Sequence, residues 1–260
     1  MFPVTCWPGG VSAFVPRVAV VALQQSGGSG LLSNPWFYAA FSALSLVVGS
    51  AVGIWISPAR NWQAILLAVG GGSLVVSLAF ELFEPSFKHI GEYPASGYFL
   101  AGIVVFGALD VAVDRWADDQ TQEEGVGLWA SVTTDGIPEN AAMGSLLTSG
   151  VHGALALLFG LAVTNASQSM MSGTNMSETH GNWKTMVGWA VTAVVVSAFV
   201  IVGYRYLPPL PDYWIAAIRA FAAGAILSGL AGEIYPDAYE DAGPVITFAT
   251  AVGFLGTFLL

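Results

Sequence analysis

The chain has 260 residues, 55% hydrophobic and only 9% charged, with mean hydropathy +0.68 and a formal net charge of −10. A soluble domain carries about 25% charged residues, so this composition belongs to an integral membrane protein, and seven basic residues leave no electrostatic footprint for nucleic acid. The single cysteine, Cys6, excludes an intramolecular disulfide and a thiolate metal cage.

Residues 1–35 hold no full span. The apolar run around 11–24 is short and broken by Pro16 and Arg17, and the flexible stretch QQSGGSG follows it. The pattern predicts a tail or interfacial segment, with a weak signal peptide as the alternative. A membrane-crossing helix needs roughly 20 mostly apolar residues. Eight stretches meet that length, near 36–56, 62–83, 97–116, 127–147, 152–171, 184–205, 213–236 and 242–260. Their joints are short and polar, which predicts a single all-α transmembrane domain over 36–260. Acidic residues are expected in two loops, one with Asp114, Asp118, Asp119, Glu123 and Glu124, the other with Asp237, Glu240 and Asp241. Arg60, Arg115 and Lys184 fall on one side and Lys88, Arg205 and Arg219 on the other, so basic residues do not orient the bundle. Trp36, Trp62, Trp116, Trp183 and Trp214, near span ends, read as interfacial anchors.

Residues 68–83 (AVGGGSLVVSLAFELF) and 220–235 (AFAAGAILSGLAGEIY) align at an offset of 152, with Leu78/Leu230, Ala79/Ala231 and Glu81/Glu233 among the identities. These are the second and seventh spans. Helices 1–3 would then match helices 6–8, with two helices between them, and an odd offset of five helices makes the copies inverted. Transporters built this way bind substrate near the bilayer midplane, on helices between the repeats.

The fourth span carries TTDGIPEN, residues 133–140. Asp135 and Glu139 are four apart and share a helix face. An ionised carboxylate at the bilayer centre costs several kcal/mol even on the lenient insertion scale, and two on one face repel. A cation, a water-filled cavity or protonation must compensate them. Pro138 cannot donate to the Thr134 carbonyl, and Gly136 lets the backbone bend. A kinked helix with a free carbonyl and two carboxylates fits a hard cation; a helix dipping into a solvated vestibule is the alternative. On the fifth span, Thr164, Asn165 and Gln168 share a face, where amides either bond across helices or serve as ligands. Glu233 lies about two-thirds along the seventh span, a depth that favours the interior, whereas Glu81 lies nearer its helix end at Pro85. His89 and His180 are expected in loops and His152 at the start of helix 5. No G-x-S-x-G, Walker loop or Ser/His/Asp set is present, so the chain is not read as an enzyme, and no organic cofactor is expected.

With these features the chain resembles the ZIP (Zrt/Irt-like) family of divalent-metal transporters. Asp135-Gly136-Ile137-Pro138-Glu139-Asn140 stands where that family carries a His-Asn-x-Pro-Glu-Gly type motif, matching at Pro138 and Glu139. Thr164-Asn165-Ala166-Ser167-Gln168-Ser169 stands at the helix 5 motif, matching only at Asn165. AFAAGAILSGLAGEIYPDA (220–238) is similar to the small-residue run that ends in the family's acidic ligand, which falls on Glu233, and GYFLAGIVVFGALDVAVDRW (97–116) resembles the third helix. The resemblance covers the chain from about residue 36. It implies eight helices in a 3+2+3 arrangement with inverted repeats, and a metal site held by Asp135, Glu139, Asn165, Gln168 and Glu233, with Asp237 as a handover ligand. The family histidine is Asp135 here, so the donor set is oxygen-rich; imidazole suits zinc, while carboxylate and amide oxygens suit manganese, magnesium or other harder ions. The expected cargo is a divalent transition-metal cation, zinc or else manganese or iron. The expected surroundings are lipid of the plasma membrane, with a homodimer as the expected assembly. The alternatives are a proton- or sodium-moving transporter and a metal sensor that does not transport.

Overall fold

The computed structural model describes residues 29–120 and 124–260; the reading of residues 1–28 lies outside it. Over the described residues the protein is all-α. After a short turn at Ser29–Leu32 come eight helices. They are α1 (Pro35–Trp55), α2 (Arg60–Ile90), α3 (Glu92–Gln120), α4 (Glu124–Ser149), α5 (Val151–His180), α6 (Asn182–Tyr206), α7 (Asp212–Gly229, continued through Leu230–Ile234 and Tyr235–Ala242) and α8 (Ile246–Phe258). Local chemistry sets the boundaries. Asn34 caps α1 by accepting from the Trp36 N–H at 3.0 Å, with Pro35 in the first turn. Gly91 (φ 86°) and Gly181 (φ 81°) each make a one-residue joint in the left-handed region, where a side chain would be strained. The chain therefore reverses sharply between α2 and α3 and between α5 and α6.

By length and apolarity six stretches can cross a membrane: α1, α2, the Glu92–Val113 part of α3, α5, α6, and Asp212–Phe258, which takes in α7 and α8. The molecule is thus a multi-pass membrane protein by its helices. The fourth expected span forms as a helix but is too polar to count by composition alone. The five anchoring tryptophans are all exposed, and α3 and α8 present apolar side chains such as Val104 and Phe248 to the surroundings, as lipid-facing helices do.

Packing divides the helices into two bodies. Glycines bring backbones together in four pairs, in each of which a Cβ would overlap a neighbouring carbonyl. Gly49 and Gly53 of α1 sit against Ala166 and Met170 of α5. Gly144 of α4 and Gly203 of α6 pack reciprocally onto Val200 and Ala141. Gly72 of α2 meets Thr250 of α8 while Gly253 meets Val69. Gly224 of α7 meets Phe99 of α3 while Gly102 meets Phe221. Small residues allow this close approach, which drives helix association in lipid. One body is α1, α4, α5 and α6; the other is α2, α3, α7 and α8. They meet along α2–α5, where Gly70 lies against the Thr164 backbone and Ser167 donates to the Gln63 carbonyl, and along α4–α7, where contacts run through side chains, around a core that includes Leu74, Met143, Leu157, Leu161 and Leu230.

The two aligned segments share a second feature. α2 widens into a π turn at Ser77–Phe83 and α7 does so at Leu230–Ile234. The Glu84 N–H reaches back to the Ala79 carbonyl, and the Tyr235 N–H to that of Leu230. A proline follows each, Pro85 and Pro236. Glu81 and Glu233 both lie on these turns.

Four expectations are corrected. α2 does not end at Pro85 but continues to Ile90, because the wider π turn relieves the clash between a proline ring and the carbonyl one turn back. Asp114, Asp118 and Asp119 belong to α3 rather than to a loop. Asp237, Glu240 and Asp241 belong to the helix Tyr235–Ala242, which Pro236 and Asp237 suit at its N-terminal turn. His89 and His180 lie in the last turns of their helices, where basic side chains face the negative dipole end.

Candidate functional site

The α4–α7 seam gathers the acids. Ser131 of α4 donates its hydroxyl to the Glu233 carboxylate at 2.8 Å. One turn further along α4, Asp135 faces Gly229 of α7. Its Oδ2 lies 3.0 Å from where a Cβ would stand, so a larger residue there would press this carboxylate aside. Glu139 follows after another turn and is 8% exposed. Asp135 repels both Glu139 and Glu233. Asp110 of α3 acts on Asp135 and Glu233, and Asp237 acts on Glu233. The Asp135 Oδ1 is buried and has no hydrogen-bond partner. Among the described residues the one basic side chain on the seam, Arg219, is turned to Ser145 and Ser149 near the end of α4. The carboxylates therefore share one region without a protein cation among them in the described residues.

On α5, Asn165 and Gln168 are 2% and 6% exposed. Ser172, one turn beyond Gln168, donates to the Gly125 carbonyl at the start of α4 at 2.6 Å. Helical spacing puts Asn165, Gln168 and Ser172 on this α4-facing stripe. The Asn165 Nδ2 is buried without an acceptor. Thr164 does not share that face: its methyl packs on Gly70 of α2 and its hydroxyl returns to the Gly160 carbonyl at 3.1 Å. Ser167 likewise turns to α2, donating to the Gln63 carbonyl.

Other motif residues have structural partners. Asn140 is fully buried; Ser42 of α1 donates to its Oδ1 at 2.8 Å, and its Nδ2 donates to the Gly136 carbonyl at 2.8 Å. Gly136 admits Val196 of α6, so close packing is one reason for its small size. Pro138 lies inside an uninterrupted α4. Glu81 stands apart: its carboxylate rests against Gly153 at the start of α5, and the charges near it are His152 and Glu84.

The five residues read as ligands thus fall into two groups. Asp135, Glu139 and Glu233 come together along α4–α7, while Asn165 and Gln168 are buried on the adjoining face of α5. Among the described residues, no three His, Cys, Asp or Glu side chains converge tightly enough to hold a metal ion by themselves. Hydroxyl, amide, backbone or water oxygens would have to complete such a shell. The sequence reading missed Ser131, Gly229 and Asp110. Only Asp110 had a legible sign, an acid within an apolar span. No family model matches the chain, and no curated protein matches it.

Proposed function

We propose that the protein carries divalent metal cations across a cell membrane in the manner of the ZIP family. One observation carries this reading: Asp135 has a partnerless buried oxygen and lies among Glu139, Glu233 and Asp110 with no cation of the described residues to offset them. A buried polar atom without a partner costs free energy, and like charges add to that cost. A bound cation removes both penalties. Asp135, Glu139 and Glu233 would supply carboxylate oxygens, Ser131 a hydroxyl, and Asn165 and Gln168 amide oxygens. Oxygen donors favour manganese, iron or zinc in a hard environment over softer ions.

The 3+2+3 inverted-repeat arrangement belongs to the same proposal. It is supported by the paired π turns and by the reciprocal glycine contacts. Gly72 and Gly224 are 152 positions apart, as are their mates' partners Val69 and Phe221, and Gly102 and Gly253 are 151 apart. Passage would proceed by one body moving against the other around the seam.

The test is uptake of zinc, manganese, iron, cobalt and cadmium into sealed vesicles holding the purified protein, with Glu139→Ala as control. Saturable flux of any one, lost in the variant, supports the proposal. A second reading is favoured by the missing three-ligand convergence: the acids pass protons or sodium, which carry a single charge and call for fewer converging carboxylates. It predicts flux without divalent metal. Metal-dependent stabilisation with no flux of any ion would instead indicate a sensor.

A further inference from the structure

Arg219 lies in the second turn of α7, on a face that fourteen residues later carries Glu233. Its Nε donates to the Ser145 Oγ at 2.7 Å, and its Nη2 to the Ser145 carbonyl at 2.6 Å and the Ser149 Oγ at 2.8 Å. No carboxylate lies within ion-pair distance of it among the described residues. A half-buried guanidinium bound only to one short stretch of one neighbouring helix is committed to position rather than to charge pairing. The stretch it grips is the C-terminal end of α4, where the helix dipole favours a cation, and Ser145 is 1% exposed. Ten residues back, about 15 Å along the axis, Asp135 faces Gly229. At the far end of the seam, Ser131 bonds to Glu233. The acids are therefore bracketed between two polar fastenings that join the two bodies, on a seam where glycine brings no backbones together.

We infer that Arg219 is a positioning residue that pins α4 to α7 at one end of the seam, fixing where Asp135 and Glu139 stand, and that the pin must release before the two bodies can shift. Rotation or sliding of α4 breaks the Ser145 bonds, because the guanidinium fork matches one hydroxyl and one carbonyl at fixed spacing. The pin is independent of the cargo; its effect on flux rests on the transport reading.

The test uses the full chain in lipid nanodiscs, with Cys6 replaced by alanine and spin labels at Tyr93 of α3 and Tyr206 of α6. Both positions are well exposed, one in each body. The wild-type protein should give one narrow distance distribution. Arg219→Met should broaden or split it, and Ser145→Ala should move it in the same direction. The double variant should add little to either single one. Should Arg219→Met fail to fold, Ser145→Ala still decides. Melting temperature is read in parallel: a loss of stability with an unchanged distribution in folded variants means that Arg219 merely caps α4, and overturns the pin. In vesicles, a shifted distribution with no flux of any cation leaves the pin standing and removes the transport reading. Unchanged distances with wild-type flux do the reverse.

Discussion

The Ser131 hydroxyl donates to the Glu233 carboxylate across 2.8 Å, joining residues 102 positions apart. Glu233 lies on the π turn of α7 and Ser131 on α4, so this bond crosses between the two bodies. Such turns concentrate at functional sites because they re-aim side chains. Here the turn brings a carboxylate to the helix that carries Asp135 and Glu139.

Ser131→Ala removes that bond and leaves the carboxylate to find water or a cation. Side-chain hydrogen bonds between membrane helices contribute about 0.6 kcal/mol on average and up to roughly 1.7. The variant should lose stability within that range, measured by unfolding in detergent, and bind or move its cation more weakly. A variant as stable and as active as the parent would mean that the bond holds neither helix nor ligand.

Two glycine substitutions separate packing from site. At Gly72 an added Cβ would overlap the Thr250 carbonyl, a backbone atom that cannot step aside. Overpacking of this kind costs roughly 1–3 kcal/mol, so Gly72→Ala should lower the melting temperature clearly. At Gly229 the same Cβ meets only the Asp135 carboxylate. That side chain can rotate, so Gly229→Ala should change stability by less than about 1 kcal/mol, as most tolerated substitutions do, while displacing Asp135 and depressing flux. Equal loss of stability in the two variants would count against a special role for Gly229.

The eight helices were legible because apolar runs of the right length alternate with joints as short as Gly91 or Gly181. The pairing of Asp135 with Glu139 was legible from its four-residue spacing. What these acids face was not. Ser131 and Gly229 are ordinary small residues in a membrane helix, and nothing in their local sequence marks them as neighbours of a carboxylate. The π turns were nearly silent as well, since a π turn differs from an α turn by a single residue; Pro85 and Pro236 were the only signs. The acids of α3 and α7 read as loop residues because charge near a span end looks the same whether the backbone stays helical or not.

Asp135→Asn keeps the shape of the side chain and removes the charge at the centre of the cluster. Two like charges about 8 Å apart at an effective dielectric of about 20 repel by roughly 2 kcal/mol. Without added metal, the variant should therefore be more stable than the parent. With metal it should gain less than the parent does, and its flux should fall at least tenfold. Lower stability without metal would show that the carboxylate is held by favourable partners instead of tolerated against repulsion.

Asn165 is the sharpest question left on α5. Its amide is 2% exposed and its Nδ2 has no acceptor, so the protein alone does not reward an amide there. Replacing an unsatisfied polar group by an apolar one of similar shape is nearly neutral or stabilising. Asn165→Leu should accordingly leave the melting temperature unchanged or raise it by up to about 1 kcal/mol equivalent. If the amide oxygen serves a cation from the face next to α4, the half-saturating metal concentration should rise several-fold in the same variant. Unchanged metal dependence would remove Asn165 from the donor set and leave the cation to the carboxylates of α4 and α7. A marked loss of stability would mean instead that the amide is satisfied by water bound between α4 and α5.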